Sequence, residues 1–244
     1  MILEEYAERA RGLIDRIVET QVEDITRAAE IVADTVAAGG VVFTFGTGHS
    51  HCIAEDAVYR AGGLVPVDAI LEPSLTGTSD VSKSERLERL EGFAPAILDH
   101  RRLTSDDLLI VISNSGRNAV PVEMAMEARA RGVRVVAVTS LRYAEAVTSR
   151  HSSGKKLHEV ADVVIDNGTE FGDAELRLEG LSNPVGPMSG IAGMFVIHAI
   201  MAGAAEILLS RGIDPPVWES GNIDGASERN ARRMDGYLGR IRTW

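Results

Sequence analysis

Apolar residues recur every three or four positions at the start of the chain and then change to short continuous runs. Over residues 3–38 the apolar positions include Leu13 and Ile17, and this spacing predicts a long amphipathic helical region, either continuous or interrupted once. Two glycines at 39–40 end it. The β-branched and aromatic run at 41–45 then predicts a buried strand.

Helices and strands alternate along most of the remaining chain. Strands are predicted at 41–45, 65–69, 108–112, 133–138 and 160–165. Helices are predicted at 50–61, 84–101, 118–131, 142–150, 188–210 and from about 225, and the longest loop at 72–84. This alternation predicts an α/β fold with a doubly wound, five-stranded parallel sheet in the flavodoxin-like order 2-1-3-4-5, helices on both faces and extra N- and C-terminal helices. We expect one domain over 1–244, with an N-terminal helical region (1–38), a core (39–215) and a C-terminal loop and helix (216–244).

Two unusual loops follow the first and third predicted strands, where this strand order changes direction and where such sheets bind ligands. The first loop, 46–51, reads Gly-Thr-Gly-His-Ser-His, and the second, 113–118, reads Ser-Asn-Ser-Gly-Arg-Asn. Glycine lets the backbone approach a ligand, and hydroxyl and amide groups donate hydrogen bonds to a phosphate. A tight turn, or a helix N-cap at Ser115 or Asn118, explains part of each loop without a ligand. Because both loops lie at one sheet edge, a phosphate site is the favoured interpretation.

These segments resemble the sugar isomerase (SIS) domain, a phosphosugar-binding family. The resemblance covers about residues 35–215 and depends on 46–50, 113–118 and 136–140, each next to a predicted strand. It departs from the family at Asn118, where the family has Thr or Ser. The likeness is to the stand-alone, single-domain type related to phosphoheptose isomerase and N-acetylmuramic acid 6-phosphate etherase.

The resemblance implies a sugar phosphate as ligand and a homodimer or higher homo-oligomer with sites near the subunit interface. It implies in particular that Ser50, Ser113, Ser115 and Asn118 lie near the phosphate. The full predicted substrate-binding set is Gly46, Gly48, His49, Ser50, Ser113, Asn114, Ser115, Gly116 and Asn118.

Isomerisation and elimination on a sugar phosphate both begin with removal of a proton beside a carbonyl, which needs a Glu or His base. Glu91 is the first candidate for this base. In a helix over 84–101 it shares a face with Leu87, Ala94 and Leu98. An apolar environment disfavours the charged carboxylate, so we expect the pKa of Glu91 to be raised.

Other acids and histidines are further candidates. His51 in the first loop and Glu55 one helical turn later complete the predicted catalytic set. Glu88 lies off the apolar face, which predicts a solvated charge. His198 is better explained as a core histidine with a satisfied ring. No metal is predicted, because His49 and His51 lack a recognisable third ligand.

Composition narrows the class of protein. The 244 residues include 25 basic and 36 acidic side chains, and the net charge of −11 argues against a nucleic-acid partner. Cys52 is the single cysteine, which excludes an intramolecular disulfide. The apolar segment 187–209 has the length of a membrane span, but it contains His198 and Glu206, which favours a buried helix. With no secretory signal recognised, we expect a cytoplasmic protein without a membrane partner.

These observations predict an aldose/ketose isomerase or a lyase that acts on a sugar phosphate without a cofactor, with an amino-sugar phosphate as the favoured substrate class. Two alternatives stay open. One is a non-catalytic phosphosugar sensor. The other is a dinucleotide-binding oxidoreductase, because Gly46 and Gly48 follow a strand and Asp68 lies where a ribose-binding acid would stand, although His51 occupies the third glycine position.

Overall fold

The computed structural model describes residues 1–78 and 80–241. In these ranges the helices are α1 (Ile2–Ala37), α2 (Ser50–Asp56), α3 (Val81–Leu87), α4 (Phe93–Asp99), α5 (Ala119–Ala130), α6 (Leu141–Glu145), α7 (Ser189–Ser210) and α8 (Ala226–Met234). The strands are β1 (Val42–Gly46), β2 (Val67–Ile70), β3 (Leu108–Ile112), β4 (Arg134–Thr139), β5 (Val163–Asp166), β6 (Ala174–Leu176) and β7 (Val185–Pro187).

Five strands form one parallel sheet in the order β2-β1-β3-β4-β5, which confirms the predicted fold class. β1 and β3 are buried along their whole length, as their continuous apolar runs require. Their register places Gly46 beside Ile112. The two loops that follow these strands therefore leave the same edge of the sheet next to each other.

Helices cover both faces of the sheet and divide the core into two halves. On one face α1, α2 and α7 pack together, and on the other face α4 and α5 bury the opposite side of the strands. A Cβ atom at Gly193 of α7 would lie 2.5 Å from Ile53 Cδ1, so glycine is needed where α7 meets α2. By length and composition α7 could cross a membrane, but Val196, Ile200 and Ala204 are buried in the core.

The predicted helix over 84–101 is wrong, because the chain forms two short helices there. α3 ends at Leu87 and α4 begins at Phe93. Between them Gly92 has φ +83°, a left-handed conformation that interrupts the helix. α3 also begins inside the predicted loop 72–84, where the Asp80 side chain accepts a hydrogen bond from the Lys83 backbone N–H. Ser79 of that loop lies outside the described residues.

The bounds of the other helices and strands differ less from the predicted ones. α1 is continuous, whereas α2 and α6 end several residues earlier than predicted. The segment between β5 and α7, for which no strand was predicted, contains an antiparallel ribbon in which β6 pairs with β7, Leu176 opposite Val185. Because β7 leads directly into α7, this ribbon places Asp173 beside the first turn of that helix.

Candidate functional site

A cavity of about 270 Å³ opens at the carboxyl ends of β1 and β3, between the two loops and the start of α7. Its lining consists of Thr47, His49, Ser50, Ile53, Glu88, Ser113, Asn114, Ser115, Asn118, Tyr143, Gly172, Asp173, Ser189 and Gly190. The structure therefore brings together the six non-glycine residues of the predicted substrate-binding set.

The three glycines of that set shape the loops. A Cβ atom at Gly46 would lie 2.5 Å from the Ser50 carbonyl oxygen, which is too close for any side chain. Gly48 and Gly116 have φ +54° and +59°, where other residues are strained. The chain can thus turn sharply after β1 and β3 and keep its backbone close to the cavity.

The loop over 113–118 presents hydrogen-bond donors that the described part of the chain leaves unused. The hydroxyls of Ser113 and Ser115 donate to no group there, and the backbone N–H groups of 115–117 have no acceptor. Asn114 Oδ1 accepts from Asn167 Nδ2 at 2.8 Å and from Thr169 Oγ1 at 2.9 Å. This orients the amide and leaves Asn114 Nδ2 buried without a partner in the described residues.

Asn118 stands at the N-cap position of α5, but its side chain makes no capping hydrogen bond. Its Oδ1 atom instead accepts from Arg150 Nη1 at 2.8 Å. The amide nitrogen of Asn118 is thereby turned away from Arg150. The Asn118 side chain also forms a hydrogen bond with Glu88. The amide that replaces the family's hydroxyl is therefore oriented by an arginine behind the cavity wall.

Glu88 is a half-buried acid that lines the cavity, and it was not part of the site predicted from the sequence. Thr47 Oγ1 donates to Glu88 Oε2 at 3.0 Å, so the carboxyl group links the two loops. Burial raises the pKa of Glu88, and the hydrogen bonds from Thr47 and Asn118 partly oppose that shift. The prediction of a solvated charge is wrong because the helix breaks at this point, and Gly92 was the available signal for that break.

Glu91, the predicted general base, does not line this cavity. Its carboxylate accepts hydrogen bonds from the Ser152 backbone N–H at 2.7 Å and from Ser152 Oγ at 2.6 Å. These bonds lower the pKa of Glu91, so the predicted increase is wrong. The apolar face that motivated it does not exist, because residue 91 lies in the turn between α3 and α4.

The other two predicted catalytic residues also lie outside the cavity. His51 Nδ1 contacts the Gly48 carbonyl oxygen, and the ring faces a neighbouring cavity of about 430 Å³ that also contacts His49 and Glu88. Glu55 is exposed on α2 and lines neither cavity.

Two other titratable side chains, His198 and Glu219, have structural partners. His198 is half-exposed rather than buried, and its Nε2 atom lies 2.7 Å from Asp56 Oδ2. Glu219 accepts hydrogen bonds from Arg229 and Arg233, which lower its pKa to about 2.

Asp173 lines the cavity and was absent from the sequence prediction. Its Oδ1 atom accepts from the backbone N–H groups of Met188 at 3.1 Å and Ser189 at 2.7 Å, while Oδ2 accepts from Ser189 Oγ at 2.9 Å. Asp173 has φ +71°, which is uncommon for a residue with a side chain. The carboxylate caps the start of α7 and fixes the far wall of the cavity.

A doubly wound sheet with donor-rich loops at its switch point is typical of α/β domains that bind a ligand at the carboxyl ends of their strands. The SIS domain signature matches residues 5–140, and the chain belongs to the SIS domain family. A UPF0309 protein of Streptomyces griseus is 44% identical over 239 residues, covering 97% of this chain and 95% of that protein.

Solved structures of low sequence identity share the fold. Phosphoheptose isomerase GmhA from Neisseria gonorrhoeae superposes with a TM-score of 0.57 at 17% identity, covering 84% of this chain and 100% of that one. The Vibrio vulnificus NanR protein complexed with ManNAc-6P superposes with a TM-score of 0.56 at 14% identity, covering 98% of this chain and 70% of that one.

Proposed function

We propose that this protein is a cytoplasmic, cofactor-free enzyme that isomerises a sugar phosphate or eliminates a group from it. The observation that carries the proposal is the set of unused donors on the loop over 113–118. A buried amide donor without a partner is costly, and a bound phosphate oxygen would satisfy Asn114 Nδ2. The Ser113 and Ser115 hydroxyls and the free backbone N–H groups supply the further donors that a phosphate accepts.

Glu88 is the acid–base group of this proposal. It lines the same cavity as the donor loop, and burial raises its pKa, which makes the carboxylate a stronger base than an exposed glutamate. Its carboxylate takes a proton from the carbon beside the substrate carbonyl. Return of that proton to the neighbouring carbon completes an isomerisation, whereas departure of a substituent β to the carbonyl completes an elimination.

An amino-sugar phosphate is the substrate class we favour. The cavity wall offers the hydroxyl groups of Thr47, Ser50 and Ser189, as well as the Glu88 carboxyl group, to hydroxyl and nitrogen substituents of a sugar. The structural similarity to the NanR protein, which was solved with ManNAc-6P, agrees with this class. Dinucleotide binding is disfavoured. Asp68, the acid considered for ribose binding, is fully buried and pairs with Arg101 instead of lying in the cavity.

We also propose that residues 1–244 form one domain that assembles as a homodimer or a higher homo-oligomer. Val18 and Val22 on α1 and Leu209 on α7 are more than half exposed, although these two helices pack against each other. A second copy that covers this surface would remove the apolar area from water. Light scattering should give at least twice the mass of one chain, and a monomer that binds sugar phosphate normally would refute the assembly.

A thermal-shift panel of sugars and their phosphates tests the proposed ligand class, with product analysis of each stabilising compound. At a hundred times its dissociation constant a ligand adds about 2.7 kcal/mol to the free energy of unfolding. We expect sugar phosphates, with amino-sugar phosphates foremost, to raise the melting temperature much more than the free sugars do. Equal shifts for both would refute the phosphate site, and stabilisation without turnover would identify a sensor.

A further inference from the structure

A second cavity of about 430 Å³ adjoins the candidate site. Both cavities contact His49 and Glu88, so the proposed acid–base group stands on the boundary between them. The cavity at the donor loop measures about 270 Å³, slightly less than the roughly 300–1,000 Å³ typical of ligand sites. A sugar phosphate would therefore fill the first cavity, and a further substituent on the sugar would extend past Glu88 into the second.

The wall of the second cavity differs from the donor loop, because several of its hydrogen-bonding groups satisfy one another. Thr76 Oγ1 donates to the Pro73 carbonyl oxygen at 3.0 Å and therefore accepts from Thr78 Oγ1 at 2.9 Å. His51 Nδ1 donates to the Gly48 carbonyl oxygen, since a carbonyl group only accepts. The surface that remains is mainly apolar.

The charges at this cavity favour an uncharged occupant. Glu85 and Glu88 both line it, and their carboxylates would repel a negatively charged group. Glu85 is already compensated by an ion pair with Arg89, which reduces its attraction for a cation. Val81 lines the same cavity and is 73% exposed, so an apolar group placed there would remove nonpolar surface from water.

Ser84 supplies one directional contact to this cavity. It is only 5% exposed and lines the cavity, and its hydroxyl donates to no group among the described residues. A buried hydroxyl without an acceptor is costly, and a carbonyl oxygen inside the cavity would satisfy it. An acyl group brings such an oxygen together with an apolar chain.

We propose that the second cavity binds a short, uncharged acyl group on the nitrogen of an amino-sugar phosphate. The inference rests on the proposed function, because the donor loop holds the phosphate at the other end of the same ligand. The acyl carbonyl accepts from Ser84 Oγ, and its carbon chain lies against Val81. The cavity thereby selects acylated amino-sugar phosphates over the free amines.

The test uses Cys52 as a reporter, because it is the single cysteine of the chain and lines the second cavity but not the first. The probes are the 6-phosphates of glucosamine, mannosamine and galactosamine, each as the free amine and with an N-acetyl, N-propionyl or N-butyryl group. Calorimetry on the whole protein gives each affinity. The rate at which N-ethylmaleimide alkylates Cys52 is then measured with each ligand at about a hundred times its dissociation constant.

The variants are Ser84→Ala, which removes the donor, and Val81→Phe, which narrows the cavity. Ser82→Ala is the matched control, because Ser82 is exposed on the same helix and lines neither cavity. Melting curves show whether each variant folds, and if Ser84→Ala does not, Val81→Phe decides.

In the wild type and in Ser82→Ala, affinity should rise about 4-fold for each methylene from N-acetyl to N-butyryl. The acylated ligands should slow alkylation of Cys52 at least about 10-fold, whereas the free amines should leave it nearly unchanged. Ser84→Ala should lose about 2- to 12-fold in affinity for the N-acetyl ligand alone. Val81→Phe should abolish the gain from the longer chains.

Two kinds of failure are distinguishable. If all the phosphates bind but the acyl series is flat, or if the free amines protect Cys52 as well as the acylated ligands do, the acyl cavity is overturned and the phosphate site stands. If none of the phosphates binds, the proposed function is refuted and this inference is overturned with it.

Discussion

Replacing Glu88 with Gln removes a proton acceptor from the cavity while keeping its size. The amide can still accept a hydrogen bond from Thr47 Oγ1, which now reaches Glu88 Oε2 at 3.0 Å. The Glu88 backbone carbonyl, which accepts from the Val120 N–H, is unaffected. We therefore expect Glu88→Gln to fold and to bind sugar phosphate.

Turnover and stability should respond in opposite directions. Loss of one general base lowers the rate about 10²- to 10⁴-fold, or roughly 2.7–5.4 kcal/mol in activation free energy. The pKa of Glu88 is raised in the folded protein above its usual value of 4.5, so the folded state binds this proton more tightly. Ionisation of Glu88 therefore costs stability as the pH rises from 4.5 through the folded pKa. At neutral pH the Gln variant should melt at the same temperature as the wild type or higher.

The assay combines melting temperature, ligand affinity and turnover on one preparation, with the substrate found in the thermal-shift panel. Glu127→Gln on α5 is the control, because Glu127 lies outside both cavities and faces Arg131 at 4.0 Å. A Glu88→Gln variant with a lower melting temperature and unchanged turnover per folded molecule would refute the reasoning. Glu88 would then be a structural link between the two loops.

Three further predictions follow from single contacts. Thr47→Val removes a hydrogen bond that lowers the pKa of Glu88. The acidic limb of the plot of kcat/KM against pH should therefore move to higher pH, and a limb that stays in place contradicts this. Gly46→Ala should cost about 1–3 kcal/mol in urea unfolding, because its Cβ meets the Ser50 carbonyl, whereas the helical control Gly12→Ala meets nothing within 4 Å and should stabilise. Glu219→Gln should lower the melting temperature at neutral pH, and the difference should shrink as the pH falls from 4.5 toward about 2; a pH-independent difference contradicts it.

Patterns of continuous apolar runs predicted the sheet well. The runs that became β1 and β3 are buried on both faces, so no other element suits them, and the strand order follows from alternation with helices. The donor loops could be located for the same reason, since the ends of these strands determine where the loops begin.

The acid of the site was not predictable from helical periodicity. Spacing alone placed Glu91 in an apolar face and Glu88 outside it, but the left-handed Gly92 ends that periodicity and reverses the two roles. Asp173 depends on the ribbon of β6 and β7, whose three-residue strands carry too little pattern to be recognised. Contacts made by irregular segments are set by tertiary packing, which a local pattern does not contain.

The central claim is that the loop over 113–118 holds the phosphate of a sugar phosphate. The most direct test is a calorimetric double-mutant cycle, with wild type and Ser115→Ala titrated with one sugar phosphate and with the same sugar unphosphorylated. The hydroxyl of Ser115 donates to a charged group, worth about 1.5–3 kcal/mol, so the variant should lose roughly 10- to 150-fold in affinity for the phosphate alone. Weak binding of the free sugar should stay the same in both proteins. Equal losses for both ligands, or no loss for either, would contradict a phosphate at this loop.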